Sequence, residues 1–93
     1  RMNDKADDVV TVAGKCCESG DIVCANVRIP KANSGDILAV LSTGAYNYSM
    51  ASNYNRNLIP PVVLAKEGKA EYIVKPQTYE DIIRNDVIPE YLK

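Results

Sequence analysis

Val62-Val63-Leu64-Ala65-Lys66-Glu67-Gly68-Lys69-Ala70-Glu71-Tyr72-Ile73-Val74-Lys75 decides the fold. Residues 62–65 are apolar, residues 70–75 carry Ala70, Tyr72, Ile73 and Val74, and the polar segment 66–69 between them contains a glycine. That pattern is a β-hairpin. Pro60-Pro61 forces an extended approach to it, and Pro76 stops the returning strand. Thr78 then stands where a helix N-cap belongs, with Asp81 three residues on, close to a capping box. Tyr79, Ile82, Ile83 and Val87 follow at helical spacing, and Pro89 closes the short amphipathic helix. Tyr72 and Tyr79 are expected to face a core.

Upstream of the hairpin, Val9-Val10-Thr11-Val12-Ala13 reads as a strand. Residues 14–20 break the pattern. Alternation returns over residues 21–29, with Val23, Ala25, Val27 and Ile29 on one face and Cys24, Asn26 and Arg28 on the other. Pro30 and Asn33-Ser34-Gly35-Asp36 end that strand in a turn. Ile37-Leu38-Ala39-Val40-Leu41 is apolar on both faces, which suits a central strand, although period alone also allows a buried helical turn. Residues 42–56 are rich in small residues, Asn and Tyr, with a helical turn expected around 46–52. Residues 1–8 are polar and read as a linker. Residues 9–93 then make one domain of about five strands and one or two short helices. The expected class is mainly β, a small antiparallel barrel or sandwich. Because Met2 follows an arginine, the chain also reads as a piece excised from a longer protein, so the expected barrel is incomplete and has an open edge.

The chain has 93 residues, 11 basic and 12 acidic side chains and a formal charge of −1. A domain of this length buries roughly 60% of its chain surface. No basic stripe argues for a nucleic acid or a membrane surface as partner. No apolar run approaches the roughly 18 residues that span a bilayer, and no secretory leader is expected at Arg1-Met2-Asn3-Asp4-Lys5. Cys16, Cys17 and Cys24 form an odd set with an adjacent pair, which fits a disulfide framework poorly. With no histidine and no Cys-x-x-Cys they also make a poor zinc site. Reduced thiols in a cytoplasmic protein are the simplest expectation.

Chemistry concentrates at Cys17-Glu18-Ser19-Gly20-Asp21, a turn between two β-branched runs. A free cysteine is often only a small buried hydrophobe, a reading that suits Cys24 in mid-strand and extends to Cys16. It suits Cys17 less well, because a turn before Glu-Ser-Gly-Asp is expected to be partly exposed. Thiols are mostly protonated at neutral pH, so an exposed cysteine can act as a proton donor. Both readings of Cys17 stand at this point. Glu18 alone is a solvated turn carboxylate. Asp21 is a turn residue or strand opener, and Gly20 is expected to supply a positive φ. Tyr46, Tyr48 and Tyr54 lie in a polar loop, where an aromatic body with a hydroxyl tip suits either ligand contact or an interface. Arg56 is either an anion contact or a surface charge. No phosphate-binding glycine loop and no Ser/His/Asp set is present.

Three stretches carry a resemblance: Gly14-Lys15-Cys16-Cys17-Glu18-Ser19-Gly20-Asp21, Gly35-Asp36-Ile37-Leu38-Ala39-Val40, and Gly44-Ala45-Tyr46 with Ser49-Met50-Ala51-Ser52-Asn53-Tyr54-Asn55-Arg56. With Pro61-Val62-Val63-Leu64 and Thr78-Tyr79-Glu80-Asp81, they are similar in order to the C-terminal domain of the bacterial diaminopimelate decarboxylase family. The resemblance implies a pyridoxal 5'-phosphate enzyme built from an alanine-racemase-like barrel followed by a β domain. It implies decarboxylation of meso-2,6-diaminopimelate to L-lysine and CO2, in a homodimer whose active sites lie at the subunit interface. It also implies three roles. Cys17 matches the proton donor, offered across the interface to the other subunit's cofactor. Glu18 matches the carboxylate that binds the distal amino group of the substrate. Tyr46 matches the tyrosine that contacts the cofactor phosphate or the substrate.

Departures are also visible. Nothing matches the barrel, its cofactor-binding lysine, its phosphate loop or the arginines for the distal carboxylate. Lys5, Lys15, Lys31, Lys66, Lys69, Lys75 and Lys93 lie in no such context. Asn47 follows Tyr46 where the family usually has glycine. The chain by itself is therefore expected to be inactive. Two alternatives remain: a related decarboxylase acting on ornithine, arginine or a carboxylated polyamine, and a non-catalytic module that binds a partner through residues 46–56. Glu18-Ser19, in place of the Asp-Gly found in ornithine-decarboxylase relatives, favours the diaminopimelate branch.

Overall fold

The computed structural model describes residues 2–93. They form two compact units, one ending at Leu41 and one spanning Ser42–Lys93.

The first unit is a hairpin of β1 (Asp8–Ala13) and β2 (Ile22–Ile29), paired antiparallel. β-branched residues dominate both strands, as pleated backbone favours. The register pairs Val10 with Val27 but Val12 with Cys24, so β2 carries an extra residue there. Asn26 lies in that interval at φ 54°, a left-handed conformation that asparagine tolerates better than most residues. Its backbone N–H donates to Thr11 Oγ1 at 3.4 Å. Such a bulge reverses the phase of alternation. Cys24, Val27 and Ile29 are accordingly the half-buried residues of β2, while Val23 and Ala25 are exposed. The single face expected for Val23, Ala25, Val27 and Ile29 is thus divided.

The expected central strand at residues 37–41 does not form: the segment is assigned to no strand, and Ile37 and Leu41 are 96% and 83% exposed. A run that is apolar on both faces suits a strand covered on both sides. Among the described residues the only sheets are two two-stranded hairpins.

The second unit contains α1 (Asn47–Met50), β3 (Val62–Lys66), β4 (Lys69–Val74) and α2 (Tyr79–Ile83), with 3-10 turns at Tyr54–Arg56 and Glu90–Leu92. The helical turn expected within residues 46–52 is α1. β3 and β4 form the expected hairpin. Glu67 and Gly68 at its tip have φ of 51° and 74°, the two left-handed residues that match a tight turn to the twist of its strands. α2 opens on the expected capping box, with the Thr78 N–H donating to Asp81 Oδ2 at 2.8 Å. The helix is shorter than the apolar spacing suggested. It ends at Ile83, and Val87 lies beyond it, largely exposed. Tyr72 and Tyr79, expected to face a core, are 62% and 75% exposed.

The chain is therefore mainly β, with two separate antiparallel sheets and short helices. A closed barrel requires each strand to pair on both sides. Each of the four strands found among the described residues pairs on one, so no barrel closes. No described residue is fully buried. No described helix is long and apolar enough to cross a membrane.

Candidate functional site

In the first unit, the segment joining β1 to β2 is closed by Asp21. The Gly14 N–H donates to the Asp21 carbonyl at 2.8 Å, and the Asp21 N–H donates to the Glu18 carbonyl at 3.0 Å. The side chain adds a third tie: Asp21 Oδ2 accepts from the Cys16 N–H at 2.8 Å. Gly14 lies directly against this carboxylate, and a Cβ at that position would run into it. By its sequence alone Asp21 is a turn residue or strand opener. A bond from a side chain to a backbone group five residues earlier follows no periodic pattern, so its role was invisible there.

Within this loop Cys17 has φ 56° and is exposed. Left-handed backbone at a non-glycine residue is costly and persists where surrounding bonds hold it. Here the ties on Cys16 and Glu18 bracket it. The Cys17 thiol makes no hydrogen bond among the described residues. Cys16 and Cys24 are half-buried, and no disulfide joins the three cysteines. Glu18 is extended, at φ −139° and ψ 138°, in the N-cap position of the 3-10 turn Ser19–Asp21. Its carboxylate accepts a long hydrogen bond from Ser19 Oγ at 3.4 Å. An ideal Cβ on Gly20 would lie 2.6 Å from Glu18 Oε2. A side chain at 20 would therefore displace the Glu18 carboxylate from this position. The positive φ expected there belongs instead to Cys17.

In the second unit, Tyr46 takes the N-cap position of α1. Its carbonyl accepts from the Met50 N–H and from Ser49 Oγ, each at 2.9 Å. The ring is 71% exposed, and its hydroxyl makes no hydrogen bond among the described residues. Tyr48 and Tyr54 are about half exposed. Arg56, one of the open candidates, is engaged within its own unit. Its guanidinium donates to Asp86 Oδ2 at 3.1 Å and to the Ile82 carbonyl at 3.3 Å. The loop is also held through Asn53, whose side-chain amide donates to Gln77 Oε1 at 2.7 Å and to the Asn57 carbonyl at 2.9 Å. Asn53 and Gln77 were missed in the sequence, since polar residues in a loop carry no positional signal. Cys17 and Glu18 thus share one tied loop, and Tyr46 stands on the other unit.

Comparisons with known proteins agree with one another. A family model described as the C-terminal sheet domain of pyridoxal-dependent decarboxylases matches residues 1–44, the span that holds the Cys17-Glu18 loop. The chain is 53% identical over 92 residues to a diaminopimelate decarboxylase of Synechocystis, covering 99% of this chain and 20% of the relative. It is 49% identical over 87 residues to the diaminopimelate decarboxylase of Bacillus subtilis, covering 94% and 20%. A crystal structure of the Methanocaldococcus jannaschii diaminopimelate decarboxylase superposes with a TM-score of 0.83 at 38% identity, covering 92% of this chain and 20% of that one. The chain spans about a fifth of the length of the curated relatives it matches. Sequence and backbone together place the chain in the pyridoxal-dependent decarboxylase family, as a C-terminal sheet domain.

Proposed function

We propose that this chain is the β domain of a diaminopimelate decarboxylase, a homodimer that converts meso-2,6-diaminopimelate to L-lysine and CO2 in lysine biosynthesis. The observation that carries the reading is the exposed Cys17 thiol beside the Glu18 carboxylate on one hydrogen-bonded loop, in a chain about 50% identical to named diaminopimelate decarboxylases.

The residues present suit a pyridoxal 5'-phosphate site to which this domain contributes one wall. They offer a thiol, a carboxylate and a phenol, all exposed. When bound, the cofactor supplies an electron sink for the charge left on carbon as CO2 departs. Cys17 then donates its thiol proton to that carbon of the substrate. Glu18 holds the ammonium group at the far end of the substrate by a charge-assisted hydrogen bond. Tyr46 offers its hydroxyl to the cofactor phosphate or to the substrate. In the dimer, Cys17 and Glu18 would act on substrate bound in the site of the other subunit. The reading places the chain in the cytoplasm, where thiols such as Cys17 stay reduced. Of the expected linker 1–8, Asp8 already belongs to β1; the residues ahead of it serve as the linker from the barrel, and the rest form the domain that completes its site.

The test is a substrate panel on the full-length enzyme: meso-diaminopimelate, ornithine, arginine and a carboxylated polyamine. CO2 release from diaminopimelate with at least hundredfold preference in kcat/KM is the expected result. Preference for ornithine, arginine or the polyamine would move the chain to another branch of the family, and no release from any would leave a binding module.

A further inference from the structure

Three bonds converge on one residue of the candidate site. Asp21 accepts from the Gly14 N–H through its carbonyl, donates its own N–H to the Glu18 carbonyl, and holds the Cys16 N–H with its carboxylate. These ties fall on both sides of Cys17. Cys17 itself sits at φ 56°, a conformation that a non-glycine residue leaves once its surroundings allow. Gly14 is matched to the carboxylate, since any larger residue would push it away from the Cys16 N–H.

We propose that Asp21 is a positioning residue for proton delivery. Its carboxylate, seated against Gly14, fixes the Cys16 amide and so holds Cys17 in the left-handed conformation from which the thiol meets the substrate carbon. The proposal rests on the reading of Cys17 as proton donor. It adds that Asp21 acts as a hydrogen-bond acceptor and never touches the substrate. Asp21→Asn keeps an acceptor oxygen and should restore what Asp21→Ala loses. Gly14→Ala leaves Asp21 in place but displaces its carboxylate, so it should reproduce the defect by a second route that leaves the fold intact.

The test uses the full-length enzyme and two readouts. The first is amide hydrogen exchange of residues 14–21 in the cofactor-free protein. Asp21→Ala and Gly14→Ala should both accelerate exchange at Cys16, and Asp21→Asn should not. The second is turnover in deuterated water with the cofactor bound. Both loosened variants should lose roughly 10- to 100-fold in kcat, the scale of a misplaced catalytic group, with KM little changed. They should also deliver deuterium to the product carbon with mixed configuration, which loss of folded enzyme alone would not cause. Unchanged exchange at Cys16 in Asp21→Ala overturns the clamp. Faster exchange with unchanged kcat and configuration overturns the positioning role, provided that Cys17→Ala does lose turnover. If Cys17→Ala keeps full turnover, the proton-donor reading fails first, and the positioning role fails with it.

Discussion

Gln77 Oε1 accepts a hydrogen bond from the Asn53 side-chain amide at 2.7 Å, across 24 positions of sequence. The same oxygen accepts from the Ile59 backbone N–H at 2.8 Å. One side chain thereby holds both ends of the loop containing Tyr54 against the segment that leads into α2.

Losing that acceptor leaves the half-buried Ile59 N–H without it, which costs about 1–3 kcal/mol, while the Asn53 amide keeps its bond to the Asn57 carbonyl. The neighbouring Arg56–Asp86 ion pair, across 30 positions of sequence, is weaker in energy. Its side chains are 63% and 55% exposed, and exposed pairs contribute about 0–1 kcal/mol. Gln77→Ala should therefore speed amide exchange at Ile59 in the full-length enzyme by at least tenfold. Asp86→Ala should change it by less than about fivefold. The reverse order would show that the ion pair holds this loop.

The β3–β4 turn tests local backbone chemistry. A Cβ on Gly68 would meet nothing within 4 Å, so only its φ of 74° opposes substitution. Gly68→Ala should destabilise the hairpin by about 1–2 kcal/mol through left-handed strain. Glu67→Asn places a residue suited to φ 51° and should stabilise it by a few tenths to about 1 kcal/mol. Hydrogen exchange of the β3 and β4 amides measures both changes.

The 93-residue chain by itself contains no fully buried described residue. Ordering backbone costs roughly 1–2 kcal/mol per residue, and apolar burial is the main offset. The isolated chain should give no sharp calorimetric unfolding peak and should bind hydrophobic dyes. With pyridoxal phosphate and diaminopimelate it should release no CO2. A cooperative transition, or CO2 release, would contradict this prediction.

The legible parts of the fold were those specified by neighbouring residues. Glu67-Gly68 between apolar runs gave the β3–β4 hairpin, and Thr78 with Asp81 gave the start of α2. Features set at a distance were not legible. One left-handed asparagine, Asn26, moved Cys24 onto the face of Val27 and Ile29. The apolar residues 37–41 suggested a covered strand, yet among the described residues no third strand joins either hairpin. Tyr72, Tyr79 and Val87 had core-like spacing but stand in solvent. At the candidate site, the exposure of Cys17 followed from its place in a turn. The Asp21 carboxylate that ties the loop did not, because its bond to Cys16 depends on how the turn closes.

Glu18 separates binding from chemistry. Removing its charge by Glu18→Gln should raise KM for diaminopimelate by about 10- to 100-fold, the value of a hydrogen bond to a charged group. kcat should fall less. An equal loss in kcat with KM unchanged would assign Glu18 to the chemical step instead.

The most direct measurement is the steady-state rate of Cys17→Ala in the full-length enzyme on meso-diaminopimelate. Loss of a general acid should lower kcat by about 10²- to 10⁴-fold with KM nearly constant. Wild-type kcat in this variant would remove Cys17 from the mechanism and with it the central claim.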